Sequence, residues 1–275
     1  MLENQFFIDE HKGYFRFVTT VTAFVQHEQK FDNAESSIVT YSTNTSAKLT
    51  VLDNELNEVS EIKDLAKGER VYSVRFMGDI AYFVTFRQTD PLFSADLSDP
   101  KNPKILGALK IAGFSEYMYP YGENLLLGFG MDADESTGRT KGLKLSMFNI
   151  SDPSNVTEES KTIIDGYTYS PALYEHKAML VSSDKNLMGF AVQDANENIG
   201  YLIYEYTGEA FVCKASLLIS KAIEYIDGYE IYDFTGYGLS SVRGMFINDN
   251  FYVVSDNILN VFDLNTFEQI GKVTA

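Results

Sequence analysis

Residues 70–113 read RVYSVRFMGDIAYFVTFRQTDPLFSADLSDPKNPKILGALKIAG. Apolar-rich runs lie at 71–76, 80–86, 92–97 and 104–111. Between them stand Met77-Gly78-Asp79, Gln88-Thr89-Asp90-Pro91 and Ser98-Asp99-Pro100-Lys101-Asn102-Pro103. Gly supplies positive φ, Pro pre-sets φ, and Asp or Asn side chains bond to nearby backbone, so each interruption is a turn with a mechanism. The stretch therefore predicts four short strands joined by tight turns, an up-and-down antiparallel sheet.

The same unit recurs along the chain. Asp96-Leu97-Ser98-Asp99-Pro100 returns as Asn149-Ile150-Ser151-Asp152-Pro153, 53 residues on, and Asp263-Leu264-Asn265-Thr266 echoes it. Units can be drawn at 1–66, 67–112, 113–165, 166–222 and 223–275. The expectation is an all-β chain, a single β-propeller domain over 1–275 with about five four-stranded antiparallel blades. Sheets with two apolar faces need neighbours, and radial packing supplies them. A β-sandwich would not repeat its turn chemistry in this way. No long run places apolar residues at i, i+3, i+4 and i+7, which excludes a helical fold. Trp is absent, so the Trp-Asp signature of WD40 blades is missing. Residues 25–45 are polar and lack strong periodicity, and read as a long loop with a short strand at 37–41. Residues 170–174 read as a strand, and 223–237 as a linker with room for a short helix or hairpin.

Of 275 residues, 45% are hydrophobic and 14% aromatic, enough for a large core. The formal net charge of -17 disfavours nucleic acid and anionic membranes, which select clustered Lys and Arg; solubility is its simplest consequence. The one cysteine, Cys213, follows the apolar run Ala210-Phe211-Val212 and is expected to be a buried, inert thiol. No apolar run approaches the ~18 residues needed to span a bilayer. Residues 1–4 carry neither a basic nor an apolar region, so no signal peptide is expected within this chain.

Three sets of residues carry a family resemblance: Arg70-Val71-Tyr72-Ser73-Val74-Arg75-Phe76-Met77-Gly78 with Asp90-Pro91-Leu92-Phe93; Gly142-Leu143-Lys144-Leu145-Ser146-Met147-Phe148 with Ser151-Asp152-Pro153-Ser154-Asn155; and Ala172-Leu173-Tyr174-Glu175-His176-Lys177-Ala178. They resemble the bacterial secreted β-propeller domain proteins, distantly akin to WD40 propellers, over 5–273. The resemblance implies an extracytoplasmic protein, secreted, membrane-tethered or at the cell surface. It also implies a further N-terminal part, which would make this chain a C-terminal portion. It brings no catalytic residues with it.

Ligands of such folds sit where loops from several blades converge. Arg87 and Asp90 are expected there, with Arg75, Glu116, Tyr169 and Arg243 from first strands. Arg75 and Arg243 have two readings: structural ion pairs between blades, or an anion-attracting spot in an acidic chain. Asp132, Asp134 and Glu135 also have two: a solvated acidic loop, or a calcium site, although Thr137 stands where an EF-hand needs Gly. No other cofactor is expected. His11, His27 and His176 are scattered, against zinc. No G-x-S-x-G, G-x-x-x-x-G-K-[ST] or G-x-G-x-x-G occurs. Tyr117, Tyr119, Tyr121, Tyr167 and Tyr169 suit packing between blades or a stacking platform for sugars or peptides.

Three function classes follow. The first is a non-catalytic extracytoplasmic binding or scaffolding module for a protein, peptide or glycan. The second is a glycoside-acting five-bladed propeller enzyme, which would need two carboxylates about 5–9.5 Å apart among Asp9, Glu116 and Glu175. The third is a structural domain serving the N-terminal part. The missing catalytic motifs favour the first, and the three carboxylates are not expected to converge.

Overall fold

The computed structural model describes residues 2–30, 37–86, 90–134, 137, 139–221, 223–226, 229–232, 234–256 and 258–274. It is all-β, with five antiparallel sheets of four strand positions each. The first sheet holds β1 (Ile8–His11), β2 (Tyr14–Lys30), β3 (Ser37–Leu52) and β4 (Glu58–Leu65). The second holds β5 (Arg70–Met77), β6 (Ile80–Phe86), β7 (Asp90–Asp96) and β8 (Lys104–Ile111). The third holds β9 (Phe114–Tyr121), β10 (Leu125–Ala133), β11 (Thr140–Asn149) and β12 (Thr157–Ile164). In the fourth, β13 (Tyr167–Tyr169) and β14 (Met179–Ser182) share the first position beside β15 (Leu187–Asp194), followed by β16 (Ile199–Tyr206) and β17 (Phe211–Ser220). A hairpin, β18 (Ile223–Ile226) and β19 (Tyr229–Tyr232), precedes the fifth sheet. That sheet holds β20 (Arg243–Ile247), β21 (Asn250–Ser255), β22 (Ile258–Asp263) and β23 (Gln269–Thr274). In every sheet spatial order follows chain order, the result expected when short turns join neighbours.

The chain forms two compact units: 1–114 with 134–138 and 152–156, and the remainder. In the first unit, Phe7, Val18, Leu49 and Val51 pack with Val71, Val74, Phe83 and Leu97. The second unit shows why its sheets need neighbours on both faces. Along β15 and β16, Met188, Phe190, Val192, Leu202 and Tyr204 join Phe129, Leu145 and Met147 of the third sheet. The alternate residues Ala191, Tyr201 and Ile203 join Phe251 and Val253 of the fifth, and Val242 just before it. With side-chain period two, a sheet buried on both faces reads as an unbroken apolar run.

The repeated turn has one geometry in three sheets. Asp96, Asn149 and Asp263 each accept, through the side chain, the N–H two residues on, from Ser98, Ser151 and Asn265. The residue between, Leu97, Ile150 or Leu264, donates its N–H to the carbonyl of Asp79, Asn124 or Asp249. The turn also joins sheets. Ser60 Oγ donates to the Pro100 carbonyl at 2.6 Å, and Ser94 Oγ to the Pro153 carbonyl at 2.5 Å. A Cβ at Gly107 would lie 3.0 Å from the Ser154 carbonyl oxygen, so glycine lets that turn approach.

These turns set an acid limit. The Ser98 hydroxyl, then its N–H, holds Asp96 below its ordinary 3.8. Backbone N–H groups of Thr266 and Asn265 do the same for Asp263, and bonds from Asn57 for Asp53. A carboxyl whose pKa is lower folded than unfolded stabilises fully above the unfolded value, and that contribution is lost as pH falls through the folded one. Thermal stability should therefore hold from pH 7 to about 4.5 and drop below about 3.5. A melting series across pH 2.5–7 checks it; a decline beginning near pH 6 would contradict it.

Three expectations are corrected. Residues 25–30 and 42–45 are strand where a loop is expected, and the short strand expected at 37–41 is part of a longer one: β2 and β3 pair without a register shift from Phe15↔Leu52 to Lys30↔Ser37, a long two-stranded arm; residues 31–36 lie outside the described residues. Apolar alternation reports burial, and an arm exposed on both faces has none, although its Thr and Val residues favour strands. Residues 170–174 hold a 3-10 turn, Pro171–Leu173, in place of a strand. Cys213 is exposed. It pairs with Tyr204 across a register shift of β16 with β17, and β17 is the last strand of its sheet.

Candidate functional site

The fourth sheet departs most from the repeat, and its departure builds the site. After β13, the Ser170 hydroxyl donates to the Ala191 carbonyl at 2.7 Å and caps the 3-10 turn by accepting from Ala172 N–H at 3.2 Å. Pro171 pre-sets the turn, and Pro171, Ala172 and Leu173 are buried. A second 3-10 turn, His176–Ala178, follows, and Glu175 caps it by accepting Lys177 N–H at 3.0 Å. With the apolar side anchored, Tyr174 is thrown out to 68% exposure.

Strand β9 fixes this segment from beneath. Tyr117 and Tyr119, two apart and so on one face, donate their hydroxyls to the carbonyls of Tyr174 (2.8 Å) and His176 (3.2 Å). The Tyr117 ring lies 6.0 Å from the His176 ring. Above, Tyr169 and Tyr174 stack at 5.9 Å with planes 25° apart, both exposed. His176 Nδ1 lies 3.3 Å from Glu175 Oε1. The Lys177 N–H holds the Glu175 carboxyl below its ordinary range, assisted by the positive fields of His176, Arg243 and Lys177. Burial, with the negative fields of Glu175 and Glu116, pushes the Tyr117 phenol up. On β20, Arg243 donates to the carbonyls of Ser240 (2.7 Å) and Val242 (2.9 Å).

Glu116, Tyr169 and Arg243 thus lie in the second unit, around one aromatic cluster. Arg75 belongs to the first unit, its guanidinium 4.0 Å from the Phe6 ring centroid. Asp90 opens β7 in that unit, and Arg87 lies outside the described residues. Asp132 is buried near the end of β10. Asp134 accepts from the N–H (3.0 Å) and hydroxyl (3.2 Å) of Thr137, and Glu135 lies outside the described residues. Among the described residues no group of three His, Cys, Asp or Glu is placed to hold a metal. Of the three carboxylates weighed for glycoside chemistry, Asp9 pairs with Arg16. Glu175 is shifted down, whereas a general acid is shifted up. Sequence reasoning missed Tyr174 as a site member and weighed Glu175 only for glycoside chemistry; the Ser170-Pro171 start of a turn was the signal available.

What the cluster offers is a rigid pair of tyrosine faces beside a fixed carboxylate and a guanidinium. Tyr and Arg give large contact area at low entropic cost and dominate binding hot spots. Among the described residues no helix is long and apolar enough to cross a membrane.

Comparison with known proteins bears on the fold. The family profile described as "Beta propeller domain" matches residues 1–267. An uncharacterized protein of Methanocaldococcus jannaschii is 34% identical over 273 residues, 99% of this chain and 36% of that protein. One of Archaeoglobus fulgidus is 34% identical over 272 residues, 99% of this chain and 35% of that protein. The chain spans about a third of the length of the curated relatives it matches. Both are archaeal, whereas the resemblance pointed to bacterial proteins. Among solved structures, apo AztD from Citrobacter koseri is 10% identical, covering 98% of this chain and 71% of that one, with TM-score 0.48. The C-terminal WD40 domain of Sif2 is 8% identical, covering 96% and 69%, with TM-score 0.40.

Proposed function

Because the chain belongs to the β-propeller domain family, with about five four-stranded blades, we propose that it is a non-catalytic binding or scaffolding module acting outside the cytoplasm. Its contact site is the aromatic cluster around the two 3-10 turns of the fourth sheet, and its ligand is a segment of a protein. The observation that carries this reading is the exposed Tyr169–Tyr174 stack held over Tyr117, Tyr119 and His176. Exposed aromatic rings stay exposed at a cost unless a partner covers them, and Tyr with Arg is the composition of protein hot spots. The downward shift of Glu175 supports binding over acid catalysis. The extracytoplasmic setting rests on the resemblance to secreted propeller proteins.

The test is a peptide and glycan array screened with this chain and with a Tyr169→Ala/Tyr174→Ala variant. Each hot-spot tyrosine is worth about 2 kcal/mol, so the pair should cost at least tenfold in affinity for the selected peptide. The melting temperature should move little, since both rings are exposed. Peptides bound equally by both proteins would move the site elsewhere, and selection of glycans alone would overturn the ligand class. Protease accessibility on intact source cells tests the location: full protection from added protease, lost on lysis, would place the protein inside.

A further inference from the structure

We infer that the arm formed by β2 and β3 is a self-association element, through which two copies of this chain join edge to edge into one continuous four-stranded sheet. The inference is independent of the aromatic cluster. Beyond Phe17, where pairing with β1 ends, and beyond Thr20, whose hydroxyl accepts Val71 N–H at 2.9 Å, the outer edge of β2 has no partner strand among the described residues. Strand β4 meets β3 only from Ala47 onward. The distal arm is thus two strands wide, and two strands alone are marginal in water whereas three or more are stable. Its side chains are bare: Phe24 is 80% exposed and Tyr41 71%, with Val21, Ile38 and Val39 also exposed.

Two features name the occupant. Soluble proteins guard an open edge with Lys, Pro, a bulge or shortness. Over residues 17–27 this edge has none of them: the stretch holds no lysine or proline, and the β2–β3 register runs without a shift. Charge then selects a second copy. Two chains of formal charge -17 repel each other over most of their surface. Residues 17–27 and 37–46 contain no Asp, Glu, Lys or Arg, so here two copies meet without like charges opposed. Antiparallel pairing of β2 with β2 about a two-fold axis is self-complementary, as a closed dimer requires.

The experiment is sedimentation equilibrium of the 275-residue chain across concentration and salt, beside a Thr22→Lys/Phe24→Lys variant. Both substituted positions are exposed, so the variant should fold; circular dichroism and melting confirm it. The expected result is a monomer–dimer equilibrium, with the dimer at twice 31.0 kDa. It should tighten as salt rises, because screening relieves the long-range repulsion. Backbone amides of 21–29 should gain hydrogen-exchange protection in the dimer. Placing lysines across the two-fold should weaken association by about tenfold or more. A monomer at all concentrations in 1 M salt, on the order of the strongest screening practicable, would overturn the proposal. So would a dimer that the lysines leave unchanged, or one in which those amides stay unprotected.

Discussion

Gly244→Ala is expected to cost about 3 kcal/mol, the upper end for overpacking a closed core. An added Cβ would stand 2.2 Å from Tyr201 Oη and 2.4 Å from Cζ. The ring cannot retreat: Tyr201 is fully buried, and Gly189 faces it from β15, where a Cβ would meet Cε1 at 2.8 Å. Two glycines thus form a slot, one on the fourth sheet and one on the fifth, and Tyr201 fills it beside Phe251 at 5.7 Å. Neither has a positive φ, so space and not backbone freedom is what they supply. Denaturant unfolding followed by tyrosine fluorescence measures the loss. Adding Tyr201→Leu should recover part of it, since the clashing atoms go while an apolar side chain remains. A Gly244→Ala protein as stable as its parent would show that the fourth and fifth sheets slide freely past this contact.

That slot illustrates which parts of the molecule the sequence could disclose. The turn at Asp96-Leu97-Ser98 was legible because its geometry is local: the Asp side chain and the N–H it accepts lie two residues apart. The apolar runs were legible because sheets packed on both faces bury nearly every residue. Gly189 and Gly244 gave no such sign, because what they accommodate comes from elsewhere in the chain. The arm beyond Phe24 was misread for the opposite reason: Gln26, Thr43 and Asn44 are exposed and polar, so no apolar alternation marks them. The aromatic cluster lay between these cases. Tyr117, Tyr119 and Tyr169 stood out by type, but Tyr174 joins them only because Ser170 and Pro171 replace a strand by a turn.

Asp9→Ala should be the other severe substitution, at about 2–3 kcal/mol. Asp9 and Arg16 are direct cross-strand partners on β1 and β2 and form an ion pair. The Arg16 side chain is only 3% exposed, while Asp9 is 33% exposed. Removing one partner of a buried pair costs ~3–5 kcal/mol because it strands the other charge. The exposure of Asp9 lowers that figure, as does what Arg16 keeps: its bond to the Gly78 carbonyl at 2.7 Å and the Phe76 ring at 5.1 Å. Arg16→Met combined with Asp9→Leu should restore most of the loss, since apolar replacement of a buried pair is often neutral. The same substitutions separate the structural account from the glycoside-acting one. A carboxylate kept for chemistry can be changed to Asn with stability intact and turnover lost. A carboxylate kept to neutralise Arg16 loses stability on the same change, because the amide retains a hydrogen-bond acceptor but not the charge. Equal stability of Asp9→Asn and parent, with loss of hydrolysis of any glycoside the parent cleaves, would overturn the structural assignment. Its stability should instead fall between those of the parent and Asp9→Ala.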